Sequence, residues 1–172
     1  MRPVRTPDRV QRSPRERLAE RVSAASYGTV LVLAALAVLD AGDVASGLGW
    51  GLVTGVGLAT WVAHIYAEIV GDHLRHRAAH ESTELRRAMA DGAPILLAAV
   101  PPAVMLLLGR LGVIADRVAL WAAVGVAFIQ LVGLGAFVGS AVSSRHSSTW
   151  RYGAVTAAFG AIVVSLKVVL GH

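Results

Sequence analysis

Six ionisable residues, His64, Glu68, Asp72, His76, His80 and Glu84, recur at a strict interval of four in the run WVAHIYAEIVGDHLRHRAAHESTEL. Side chains four apart on a helix are neighbours, about 5–6 Å between Cβ atoms, so consecutive members can share a ligand. Imidazole and carboxylate together suit first-row divalent metals such as iron, manganese, zinc or nickel. Carboxylates neutralise the cation, while imidazole supplies nitrogen and exchanges protons near neutral pH. If one continuous helix carries all six, the row turns by about 200° around the axis, so two or three members face any one site. His64 and Glu68 lie deepest in apolar sequence, where an unpartnered carboxylate is expensive, and they are the expected metal site. Asp72, His76, His80 and Glu84 are expected to gather the ion. The alternative for 72–91, which also holds Arg75, Arg77, Arg86 and Arg87, is a solvated helical hairpin with ion pairs such as Asp72 with Arg75.

The elements that must carry this row follow from composition. Of 172 residues, 55% are hydrophobic and 16% charged, against about 25% charged in a soluble domain, which predicts a membrane protein. The chain has no cysteine, which excludes disulfides, thiolate metal sites, cysteine nucleophiles and iron–sulfur clusters. Stretches free of Asp, Glu, Lys and Arg run from Val22 to Leu39, Val44 to Ala67, Gly92 to Gly109, Val118 to Ser144 and Tyr152 to Leu166. They predict an all-α bundle of five transmembrane helices, the last reaching Leu170 if Lys167 snorkels. The runs are apolar all round, unlike the helices of a soluble bundle.

Charge sets the expected orientation. Residues 1–21 hold seven arginines, 72–91 four and 145–151 two, whereas the alternate connections hold Arg110, Arg117 and Lys167. The positive-inside rule then places the N-terminus in the cytoplasm and the C-terminus outside, and the arginine- and alanine-rich composition suggests a bacterial-type plasma membrane. The net charge of +5 follows from this topology, and no nucleic-acid partner is expected. The expected organisation is a basic cytoplasmic tail over 1–21 and a membrane domain over 22–172, with a short cytoplasmic helical segment at 72–91. The tail lacks the small-residue cleavage pattern of a signal peptide and reads as retained.

Three further features bear on mechanism. Gly47, Gly51, Gly55, Ala59, Ala63, Ala67 and Gly71 form a second row at intervals of four, a small-residue groove that lets another helix approach closely. Pro101 and Pro102 remove two backbone donors and are expected to kink the third span, the freed carbonyls either lining a cation path or being satisfied by neighbouring helices. Gln130 is the one strongly polar side chain of the fourth span, suited to an interhelical hydrogen bond. Met105 reads as a lipid or core contact, and Trp50, Trp61, Trp121 and Trp150 as interfacial anchors. No nucleophile with an adjacent base, phosphate-cradling loop or catalytic carboxylate pair is visible, so no enzyme is expected. His64 lacks a second histidine at matching depth for haem.

The layout resembles the vacuolar iron transporter family of small five-helix membrane proteins. The resemblance lies in the first-span motif RVSAASYGTV, a second span running into a charged segment, a proline-containing third span and Arg151 in RYGAVTAAFGAIV. Glu68 in HIYAEIVGD stands where that family has a Gly-Glu-Tyr carboxylate, while Tyr27-Gly28 stands where it has an Asp-Gly pair. The resemblance implies a homodimer in the bilayer that carries divalent iron or manganese against protons, with the cation as substrate and no tightly bound cofactor. The rival reading is a non-transporting scaffold or regulator whose segments 1–21 and 72–91 bind a cytoplasmic partner.

Overall fold

The computed structural model describes residues 14–75 and 81–142 with Ala158 and Ser165, and the side chains of 18–71 and 85–138. Every regular element among the described residues is helical: α1 (Pro14–Ala37), α2 (Ala41–Ser46), α3 (Leu48–Arg75), α4 (Glu81–Arg110) and α5 (Asp116–Val142). Pro14 is the first described residue of α1. The α1–α3 connection is a short capped helix. Asp43 N–H donates to Asp40 Oδ1 at 3.0 Å and Asp40 N–H donates to Asp43 Oδ2 at 2.9 Å, a reciprocal capping box. Gly47 closes α2 with φ +83°, a left-handed conformation that other residues adopt only under strain. Arg110 Nη1, from the far end of α4, donates to the Ser46 carbonyl at 3.1 Å and ties this turn to the α4–α5 connection.

In a bilayer the lipid tails are as apolar as leucine, so helices associate through close packing. Here α1 and α4 touch one another and each touches both α3 and α5, while α3 and α5 make no contact among the described residues. A different glycine admits each neighbour of α4. A Cβ on Gly28 of α1 would lie 3.1 Å from Ile95 Cα, and one on Gly57 of α3 would lie 2.7 Å from the Ala99 Cβ. Gly109 of α4 meets Ala119 of α5 in the same way. Val32, Leu33, Leu36, Val53 and Leu106 fill the core between these crossings.

Among the described residues, three helices are long and apolar enough to cross a membrane: Leu48–Gly71, Leu85–Arg110 and Asp116–Val138. The expected first span is not among them. α1 ends at Ala37 and its first two turns are charged, leaving about 24 Å of apolar helix from Val22, short of a core of about 30 Å. The expected fifth span lies outside the described residues, apart from the helical positions Ala158 and Ser165. Of the expected basic tail, residues 14–21 form the first turns of α1. Of the expected helical segment at 72–91, the described residues belong to the last turn of α3 and the first turns of α4, with 76–80 outside the described residues.

Candidate site at the seam of α3 and α4

α3 and α4 run antiparallel. Gly57 lies opposite Ala99 and His64 opposite Gly92, so seven residues down one helix match seven up the other. The same register puts Glu68 level with Ala88 and Asp72 level with Glu84. The six-residue row is therefore not on one helix: Glu84 belongs to α4, because the chain turns back between Arg75 and Glu81. His76 and His80 lie outside the described residues.

His64 and Glu68, one turn apart on α3, are both partly buried. The His64 ring packs on the backbone of α4, where a Cβ on Gly92 would meet His64 Cδ2 at 3.2 Å and Trp61 Cδ1 at 3.0 Å. Trp61 Nε1 donates to the Met89 carbonyl at 3.3 Å, so this tryptophan is a clasp between helices as well as an aromatic anchor. One turn nearer the charged end of the helix, Glu68 Oε2 is enclosed. Arg21 of α1 pairs with Asp91 of α4 at 3.6 Å, with the arginine half exposed, and completes the three-helix junction. An exposed pair of this kind contributes at most about 1 kcal/mol.

Among the described residues no three His, Asp or Glu side chains are gathered into a metal-holding group. The described members of the row, His64 and Glu68, offer one nitrogen and one carboxylate, the mixed donor set that suits divalent iron or manganese. Trp61 and Gly92 stand out here only in three dimensions. In the sequence Gly92 is simply the first residue of an apolar run, and its role appears when α4 folds back on α3.

Among the described residues, the small-residue row does not pack α3 on another helix of the same chain. Gly47 is the cap of α2 and faces the Arg110 guanidinium, a turn position rather than a packing one. Gly51, Gly55 and Gly71 would meet nothing within 4 Å among the described residues if they carried a Cβ, so they face away from the described helices. Gly57, outside the row, is the glycine that α3 uses against α4. The threonines of the spans satisfy themselves. Thr29, Thr54 and Thr60 each donate to the carbonyl four residues earlier, at 2.8, 2.8 and 2.7 Å. α4 keeps its helical assignment through Pro94, Pro101 and Pro102, and Pro102 is fully buried. A shallow, open pocket lined by Ala45, Gly109, Arg110, Val113, Ile114 and Asp116 lies at the opposite end of the bundle from His64.

Comparison of the chain with protein-family models, with curated proteins and with solved structures gives no match. What can be stated of its class comes from the fold: the described residues are all helical and hold three membrane-length helices, compatible with a lipid bilayer.

Proposed function

We propose that this chain moves a divalent cation of the iron or manganese kind across a membrane, with His64 and Glu68 at the entrance of the path. The observation that carries the reading is the seam itself. A histidine seated on the bare glycine backbone of α4 and, one turn further along the same membrane-length helix, a carboxylate with an enclosed oxygen share one face of the chain. Ionisable groups are costly inside a span and occur there chiefly for function. Asp72 and Glu84, level with one another beyond Glu68, continue the acidic character toward the end where Arg21, Arg86 and Arg87 lie. By the positive-inside rule that end faces the cytoplasm of a plasma-membrane protein, so the cation enters from the cytoplasm and protons exchange with it at His64. The homodimer belongs to the same proposal: the open row Gly51, Gly55, Ala59, Ala63 and Ala67 offers a second copy close backbone approach.

The test is uptake into proteoliposomes of iron(II), manganese, zinc, cobalt and nickel, read beside internal pH. Wild type should take up at least one ion with proton movement. Glu68→Gln and His64→Ala should each lower uptake by about tenfold or more, since even indirect supports of a metal site cost about tenfold to a hundredfold. Folded, oriented protein that moves none of these ions, or variants that transport as well as wild type, would overturn the reading.

A further inference from the structure

Pro101 and Pro102 stand side by side inside α4. Proline has no N–H, so the carbonyls of Leu97 and Ala98 each lose the donor four residues on. The two losses are unequal. Leu97 retains the N–H of Val100, three residues on, as a 3₁₀ alternative, and Ala90 before Pro94 retains that of Ala93 in the same way. Ala98 retains neither, because prolines occupy both its 3₁₀ and its α donor positions. It is the one carbonyl of α4 with both ordinary partners deleted, and its residue is only 5% exposed. In lipid such a group must be satisfied by a neighbouring helix or an ordered water.

α5 brings a polar side chain to that level. α4 and α5 meet where Gly109 faces Ala119, and they run in opposite directions. Eleven residues complete three helical turns to within about 20°, so a step of that length returns to the same face about 16.5 Å along the axis. Eleven residues before Gly109 is Ala98, and eleven after Ala119 is Gln130. The two therefore confront each other three turns in from the crossing, near the middle of the Leu85–Arg110 span. Gln130 Oε1 is enclosed there and has no hydrogen-bond partner among the described residues. A carboxamide interchanges its oxygen and nitrogen by a half-turn of its last torsion, and only hydrogen bonding tells the two arrangements apart. As placed, Oε1 has no donor to accept from, and the half-turn puts Nε2, a donor, in its position.

We propose that Gln130 is a positioning residue whose Nε2 donates to the Ala98 carbonyl, latching α5 across the double-proline break in α4. The latch stands independently of any transport activity. It assigns the break a partner, so the prolines do not leave α4 open in the resting bundle.

A double-mutant cycle on the full chain tests it, with reversible unfolding followed in detergent micelles. Gln130→Leu should lower the folding equilibrium constant about threefold to tenfold, the range of interhelical hydrogen bonds in membranes. Pro102→Ala restores the α donor to Ala98, and in that background Gln130→Leu should cost less than twofold. Gln130→Glu, whose carboxyl is held neutral by the apolar surroundings and then carries an O–H donor, should cost less than Gln130→Leu in the wild-type background. An equal loss in both backgrounds, or no loss in either, would overturn the latch. Should Gln130→Leu fail to fold, Gln130→Met reads the same cycle with a closer match in length.

Discussion

Gly92 and Gly55 are both helical glycines, yet only one of them holds anything in place. A side chain at Gly92 would press on the rings of Trp61 and His64, both of which rest on the α4 backbone. Gly92→Val should therefore destabilise the protein by about 1–3 kcal/mol, as overpacking does, and should shift the fluorescence of Trp61 measured in a chain whose other tryptophans are phenylalanine. Gly47 is constrained for a different reason, its left-handed φ of +83° and the guanidinium of Arg110 beside it. Gly47→Ala should cost about 1 kcal/mol or more in thermal unfolding, and Arg110→Ala should not rescue it fully, because the backbone strain remains. Of this chemistry, the sequence discloses the spacing of His64 and Glu68 and the isolation of Gln130 in its span. It does not disclose Gly92 or Trp61 as partners, since their meeting depends on the register between α3 and α4, which no local pattern fixes.

At the scale of helices, α4 is the hub, and the glycines that serve it can be distinguished from those that face outward. Gly57→Leu should lower the yield of folded protein and its melting temperature sharply, because Ala99 already occupies the space. Gly55→Leu, with nothing within 4 Å, should leave the monomer's melting temperature within a few degrees of wild type and weaken self-association read by cross-linking in membranes. Helix positions are legible in part. The charge-free run from Val118 to Ser144 nearly coincides with α5, whereas the run beginning at Gly92 misses the first three turns of α4. Charge marks where a helix leaves lipid, not where it ends, so α1 and α4 both continue into polar sequence unseen. The fold-back of the ionisable row corresponds to the helical-hairpin alternative for 72–91, because Glu84 lies on α4 and not on α3.

Considered whole, the molecule has one polar, arginine-rich end, with Arg21, Arg86 and Arg87, and an opposite end that carries Asp40, Asp43 and Asp116. Because the chain contains no cysteine, single cysteines report each end without background. With the arginine-rich end in the cytoplasm, a membrane-impermeant maleimide should label Ser46→Cys in intact cells and Ala90→Cys only after permeabilisation, both positions being exposed. The reverse pattern would invert the orientation. The arrangement of helices has a consequence for how damage spreads. With α3 and α5 on opposite sides of the α1–α4 pair and out of contact, they are thermodynamic strangers. Perturbations confined to their outer faces should sum to within about 0.5 kcal/mol when combined, as independent sites do. The seam chemistry can therefore vary on one flank while the other is held constant.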